Sequence, residues 1–393
     1  MHPHRLKFTV VGAGPVGLAN AILLARRHKV VVLDTDPTCV ARLNERQSPV
    51  PEAALQHALA HEDLHMRATL DKADAYAGAG HVVVCVPTPA DAATGGITTT
   101  ALEAVIADAR ALAPAARIVI RSTVPIGFTQ RMRARHDFDG ILHAPEFLRE
   151  GHALHDASHP SRIVVGSESS ASFEWADLML QATGHRDAPV LVMRDREAEA
   201  VKLMANTLLA ARVALFNELD TLAANLGLRA NDVLRGICLD PRIGDHYNHP
   251  SFGFGGPCLP RDAAQLAQTQ GATSLVLLQS VLTSNAARVD YVVQTILQRR
   301  PGVVGLYRLG MKAGSGNLTD SAMVRVMRGL RAEGVQVLAH EPTLDAEALE
   351  GCPLVKDIES FKARCDLIVA DRVDAELDDV MDRVLTRDLG GPR

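Results

Sequence analysis

The stretch Phe8-Thr9-Val10-Val11-Gly12-Ala13-Gly14-Pro15-Val16-Gly17 decides the fold, because an apolar strand runs into a Gly-x-Gly-x-x-Gly turn that opens a helix. Gly12, Gly14 and Gly17 permit a tight turn and let the backbone approach a pyrophosphate, which then rests on the positive end of the helix. A glycine-rich turn that binds nothing is the plain alternative for the pattern alone. Asp34 argues against it, since it ends the next strand 20 residues after Gly14. A carboxylate there accepts hydrogen bonds from a ribose diol and repels a 2′-phosphate, so the expected cofactor is NAD rather than NADP.

Outward from this turn, strand-like runs at Phe8–Val11, Val30–Asp34, His81–Val86, Ile118–Ile120 and Ile163–Val165 alternate with helical segments such as Val16–Arg27 and Leu102–Leu112. That alternation predicts an α/β fold with a parallel sheet covered on both faces, a Rossmann-type domain over residues 1–196. From Glu197 to about Asn225 the chain is one long Ala/Leu-rich run without Gly or Pro, read as a helical spine. It opens a central helical domain, 197–300, that takes in a second helical region from Ala263 to Arg299. Arg300-Pro301-Gly302 punctuates the chain. Beyond it, strands at Val303–Tyr307, Gln336–His340 and Leu367–Ala370 with a helix at Ser321–Glu333 predict a smaller Rossmann-like unit over 301–393.

The bulk composition agrees with two or three ordinary cores: 393 residues, 47% hydrophobic and 22% charged. A net charge of −5 with scattered basic residues gives no electrostatic footprint for nucleic acid. No window reaches the roughly 18 apolar residues of a membrane span. Met1-His2-Pro3-His4-Arg5 passes directly into a strand without a signal-peptide core, so a cytoplasmic protein is expected. Six cysteines without a Cys-x-x-Cys pair, and sixteen histidines without metal spacing, support neither a disulfide framework nor a metal site.

The second informative stretch is Phe252-Gly253-Phe254-Gly255-Gly256-Pro257-Cys258-Leu259-Pro260-Arg261-Asp262. A cysteine in a glycine-rich turn has the access a thiolate nucleophile needs, whereas the other five read as buried thiols. A thiol and a hydride acceptor in one chain point to oxidation through a thiohemiacetal and a thioester, from alcohol to acid. Asp262, taken alone, reads most simply as a helix cap after Pro260. Lys202 and Asn206, at i and i+4 of the spine, share a face that is either a solvated stripe or a polar pair aimed into a site; the stripe is the simpler reading. Asn217 and Glu218 are read as structural. Pro145-Glu146-Phe147-Leu148-Arg149-Glu150-Gly151 follows strand-like Ile141–His143 and so emerges at the sheet edge where ligands bind, although charged loop residues are commonly just solvated.

Ser122-Thr123-Val124-Pro125-Ile126-Gly127-Phe128-Thr129, Pro145–Glu150, Glu199-Ala200-Val201-Lys202-Leu203 with Asn206-Thr207, Phe216-Asn217-Glu218 and Arg242-Ile243-Gly244 through Asp262 resemble, in order and spacing, the UDP-glucose/GDP-mannose dehydrogenase family. The tail, with Gly305-Leu306-Tyr307-Arg308 and Met311-Lys312, is similar to its short bacterial members. The resemblance implies NAD-dependent four-electron oxidation of UDP-glucose to UDP-glucuronate, with Cys258 as nucleophile and the 301–393 unit holding the UDP-sugar. It implies catalytic roles for Asp262, Lys202, Asn206, Thr123 and Glu150, and cofactor contacts at Gly12, Gly14, Val16, Gly17, Asp34, Thr88, Thr123 and Glu150. Around the nucleotide sugar it implies Glu146, Phe147, Leu148, Arg149, Glu150, Lys202, Asn206, Tyr247, Asn248, His249, Pro250, Ser251, Gly255 and Lys312. Arg242 in the family reaches a neighbouring subunit, which implies a homodimer.

Four departures accompany the likeness. Pro15 stands inside the fingerprint where relatives often carry an aromatic, Cys39 replaces a common lysine, Pro257 stands beside the nucleophile, and Thr319 takes the place of an arginine that contacts the cofactor. All but Pro257 fall on the cofactor side, so weakened NAD affinity or a shifted cofactor pose is expected rather than lost thiol chemistry. Three alternatives remain open: the same reaction on GDP-mannose or a UDP-N-acetylhexosamine, a non-catalytic nucleotide-sugar-binding paralogue, and a two-electron hydroxyacid-type dehydrogenase that gives Cys258 no task.

Overall fold

A computed structural model describes residues 5–167, 169–269, 275–310 and 318–387. They form two compact units, Met1–Leu203 and Met204–Arg393. The first is built on eight strands: β1 (Lys7–Val11), β2 (Lys29–Leu33), β3 (Met66–Thr69), β4 (His81–Val84), β5 (Arg117–Ile120), β6 (Ile141–His143), β7 (Ile163–Gly166) and β8 (Val190–Met193). They lie in the order β3-β2-β1-β4-β5-β6-β7-β8. Every neighbouring pair is parallel except β6 and β7, which meet antiparallel at His143 and Gly166.

Side chains along these strands alternate between two faces, and both are buried. Phe8, Val10, Val30, Val32, Val83 and Val119 pack on one side with Leu18, Ile22 and Trp175. Val11, Val31, Val82, Val84, Ile118 and Ile120 pack on the other with Tyr76, Ile106 and Phe128. Burial on both faces is why these strands read as continuous β-branched runs rather than alternating ones. Strand order reverses on either side of β1, which lies between β2 and β4. The turn after β1 therefore opens at the switch point of the sheet, where doubly wound folds bind ligands.

The 31-residue helix Asp195–Asn225 carries the chain from one unit into the next. In the second unit, helices Ala230–Cys238, Leu259–Ala267 and Val276–Gln298 precede a sheet of β9 (Val303–Tyr307), β10 (Gln336–His340), β13 (Leu367–Ala370) and β14 (Val384–Thr386), in the order β10-β9-β13-β14 and all parallel. A short antiparallel ribbon, β11 (Ala348–Leu349) and β12 (Cys352–Pro353), accompanies it. The helix expected at 321–333 spans Ala322–Ala332, with Ser321 as its cap accepting from the Val324 amide. Val304, Leu306, Val337, Ala339 and Val369 pack with Val293, Ile296 and Met327 on one face. Leu338, Ile368 and Ala370 pack with Phe361 on the other.

Candidate active site

The fingerprint turn is shaped by contact with the neighbouring strand. Gly12 has φ +94, and a Cβ added there would meet the Cys85 carbonyl oxygen at 2.7 Å; at Gly17 it would meet the Gly12 carbonyl oxygen at 1.8 Å. Gly14 differs, because nothing lies within 4 Å of an added Cβ. It is the N-cap of the helix Pro15–Ala25, which has no side-chain cap, so the open space lies over the helix N-terminus. That cradle fits a pyrophosphate. Pro15 occupies the first helical position, where its missing N–H removes one donor from the cradle without disturbing the helix.

Asp34 leaves β2 beside this turn, its Oδ2 accepting from the Ala13 amide at 2.7 Å and its Oδ1 from the Asp36 amide at 3.0 Å. The two bonds orient the carboxylate and leave lone pairs for ribose hydroxyls. Thr88 and Thr123, from the loops after β4 and β5, come together: the Thr88 hydroxyl donates to the Thr123 carbonyl at 2.9 Å. Cys39 is buried near Asp34 and Asp36, and desolvation pushes its thiol up to about 11.

The loop after β6 is built more tightly than its charged sequence suggests. Glu146 is buried, pairs with the Arg121 guanidinium and accepts from Asn20 Nδ2 at 2.9 Å, so the reading of this residue as a solvated loop acid is corrected. Arg149 binds Asp156 through its backbone amide at 2.8 Å and through Nε and Nη2 at 2.9 and 2.7 Å. Between them the Phe147 ring takes the Arg162 guanidinium at 3.7 Å and the Lys202 ammonium at 5.6 Å from its centroid. Leu148 and Glu150 are half-buried. Sequence reasoning gave Glu199 no role of its own, yet its buried carboxylate accepts from the Gly127 and Thr129 amides and so fixes the helix turn that carries Lys202.

In the second unit, Cys258 is exposed and starts the helix Leu259–Ala267; among the six cysteines it alone is exposed. Burial raises the thiols of Cys85 and Cys365 to about 12 and about 11. Asp262 is fully buried one turn on, and it is not a cap. Its carboxylate takes Asn206 Nδ2 at 2.5 Å, Arg261 Nε at 2.8 Å and Arg261 Nη2 at 2.7 Å. The solvated-stripe reading of Asn206 is corrected by the same bond.

Backbone clamps hold the loop before the thiol. Asn217 Oδ1 accepts from the Ser251 amide at 2.7 Å, and Arg288 Nε donates to the Ser251 carbonyl at 2.8 Å. The Asp371 carboxylate accepts from the Phe252 amide at 3.2 Å. Asn285 both accepts from the Phe254 amide and donates to its carbonyl, each at 2.8 Å, and the Thr319 carbonyl accepts from Gly256 at 3.0 Å. Asn285 and Asp371 were not singled out in the sequence, where isolated polar residues carry no signal.

The remaining expected substrate residues divide. Tyr247 is exposed at φ +57, Arg242 is exposed and paired with Asp240, and His249 and Gly255 are half-buried. Pro250 is buried, and the buried Asn248 amide turns inward, accepting from Arg212 and donating to the Gly244 carbonyl. Lys312 lies outside the described residues.

A glycine fingerprint at the switch point of a doubly wound sheet, with an acid at the end of the next strand bonded to the turn, is the arrangement of a dinucleotide-binding domain. Residues 6–181 match the NAD binding domain of the UDP-glucose/GDP-mannose dehydrogenase family and residues 196–287 its central domain. The chain is 38% identical over 392 residues to UDP-glucose 6-dehydrogenase of Streptococcus pneumoniae, covering 98% of this chain and 100% of that one. It is 34% identical over 388 residues to UDP-glucose 6-dehydrogenase of Campylobacter jejuni subsp. jejuni, covering 98% and 99%. A solved UDP-glucose dehydrogenase from Pyrobaculum islandicum superposes with a TM-score of 0.86 at 30% identity, over 93% of this chain and 90% of that one. The chain belongs to the UDP-glucose/GDP-mannose dehydrogenase family, and NAD is its cofactor.

Proposed function

We propose that the protein oxidises the C6 alcohol of UDP-glucose to the carboxylate of UDP-glucuronate, with Cys258 carrying the intermediates. The observation that carries the reading is the exposed Cys258 thiol at the head of a helix whose next turn buries the Asn206–Asp262–Arg261 network. Gly12–Gly17, Asp34, Thr88 and Thr123 would hold NAD, and two NAD molecules in succession would each accept one of the two hydrides that an alcohol-to-acid change releases. C6 would first lose a hydride and its hydroxyl proton to reach the aldehyde. Cys258 Sγ would then bond to C6 while its proton passes to the aldehyde oxygen, giving a thiohemiacetal. Loss of the second hydride from C6, with that hydroxyl proton, would leave a thioester, and water would break the S–C6 bond, the thiol regaining a proton and the sugar leaving as the carboxylate. Asp262, Asn206 and Lys202 are the groups proposed to settle the oxyanion that develops on C6, and Glu150 to take the proton of the hydrolytic water. The loops at Glu146–Glu150 and Tyr247–Ser251, with Gly255, Arg242 and Lys312, are the proposed nucleotide-sugar contacts.

A homodimer belongs to the same reading. Met204, Leu208, Leu215 and Leu222 of the long helix, with Leu226 just past its end, are each more than half exposed and recur at intervals of four and seven. A stripe of that period suits the same stripe on a second copy. Among the described residues no helix is long and apolar enough to cross a membrane. Six free cysteines suit a reducing compartment, and the cytoplasm is the proposed location.

The test is Cys258→Ser. It is expected to fold and to bind UDP-glucose while losing net turnover, because a serine hydroxyl is a far weaker nucleophile at neutral pH. Near-normal turnover would remove the covalent route.

A further inference from the structure

Arg162 has no established task, and its surroundings set it apart from the other cations near the loop after β6. Arg121 is paired with Glu146, and Arg149 with Asp156. Among the described residues no carboxylate pairs with Arg162, whose hydrogen bond goes to the Ser161 hydroxyl at 3.0 Å. Its guanidinium carbon instead stands 3.7 Å from the centre of the Phe147 ring, at the wall of a cavity of about 310 Å³. The residue immediately precedes β7, where the Ile163 amide donates to the Pro189 carbonyl at 2.8 Å, so the cation is delivered from rigid backbone.

A planar guanidinium on a ring face contributes attraction and fixes the ring's plane; a lysine ammonium gives the attraction without the stacking. Phe147 is the member of the loop that also meets Lys202, whose ammonium is 5.6 Å from the ring centre. Glu146 is held by Arg121 and Asn20, and Arg149 by Asp156. The ring is therefore the one segment of Glu146–Arg149 whose orientation depends on a stacking partner.

We infer that Arg162 is a positioning residue: by stacking on Phe147 it sets the ring against which Lys202 is held, and with it the placement of the Lys202 ammonium toward the substrate. This rests on the reaction proposed above for the part that concerns Lys202. Arg162 touches neither substrate nor cofactor in this account, so its loss acts on the chemical step and leaves NAD binding alone.

The test is a double-mutant cycle of Arg162→Met and Phe147→Leu, with Arg162→Lys as the conservative variant and thermal unfolding as the control for folding. Arg162→Met is expected to lower kcat about tenfold with the KM for NAD unchanged, Arg162→Lys to recover part of the loss, and the double variant to be no slower than Phe147→Leu alone. Additive losses, a raised KM for NAD, or a kcat that falls only in step with Tm would overturn the inference. The cycle is run with whichever nucleotide sugar the wild type oxidises, and in parallel as affinity for UDP-glucose. A wild type that binds without turnover would contradict the proposed reaction, while non-additivity in affinity would still decide the Arg162–Phe147 coupling.

Discussion

Asn206 Nδ2 donates to Asp262 Oδ2 at 2.5 Å, tying the long helix to the helix that begins at Cys258. Because Asp262 is fully buried and also takes the Arg261 guanidinium, its carboxylate is balanced by one cation and one amide. A buried charge held this way is preorganised, and little reorganisation is needed when charge develops nearby.

Asp262→Asn removes the charge that Arg261 pairs with and sets an amide opposite the Asn206 amide. Steady-state kinetics should show kcat reduced by about 10²-fold or more, the scale of losing one preorganised electrostatic group. Turnover within threefold of wild type would mean that Asp262 serves only the fold.

Gly14 and Gly17 should respond oppositely to alanine. At Gly17 the methyl meets the Gly12 carbonyl oxygen at 1.8 Å, so Gly17→Ala should destabilise by about 3 kcal/mol or fail to fold. At Gly14 the methyl has open space. Gly14→Ala should therefore keep its Tm and raise the KM for NAD, because the methyl occupies the room proposed for the pyrophosphate. Equal loss of stability in both would contradict the cradle.

Arg288 and Asp220 form a pair that is almost wholly buried, 2.6 Å apart, with Arg387 2.8 Å from the same carboxylate. Arg288→Met leaves the acid underpaired and should cost about 3–5 kcal/mol in urea unfolding. It also removes the donor to the Ser251 carbonyl, so the KM for the nucleotide sugar should rise. A variant as stable as wild type would show the pair to be replaceable.

Two buried histidines set a pH dependence. Desolvation lowers the pKa of His81 to about 4 and of His143 to about 3. Both stay neutral in the folded protein over a range where the unfolded chain, at an ordinary value near 6.5, binds protons. Their contribution is present above about pH 6.5 and is lost as pH falls, by about 1.4 kcal/mol per unit for each histidine, down to about pH 4 and about pH 3. His81 stacks on Phe8, ring centres 5.1 Å apart, so His81→Phe keeps the packing. Urea unfolding at pH 7 and pH 5 should show a smaller loss for that variant; an equal loss would remove His81 as a source.

The strands whose residues are buried on both faces were legible, because Val30–Leu33, His81–Val84 and Ile118–Ile120 are nearly unbroken apolar runs. The edge strands β3, β8 and β14 were not: Met66-Arg67-Ala68-Thr69 is interrupted by a charge, Val384-Leu385-Thr386 is only three residues long, and Val190-Leu191-Val192-Met193, though apolar, is a short half-exposed run. In the site, Cys258 could be picked from its glycine-rich surroundings. Asp262 was misread locally as a cap because its partner Asn206 lies 56 residues away. Asn285 and Asp371, which hold the Phe254 and Phe252 backbone across 31 and 119 residues, obey no local pattern at all.

The central claim is that one pocket carries an alcohol to an acid through Cys258, and the most direct test is the NADH formed per UDP-glucose consumed, with the product identified by mass. The account predicts two NADH and UDP-glucuronate. One NADH per sugar, with the product halted at the aldehyde, would contradict it.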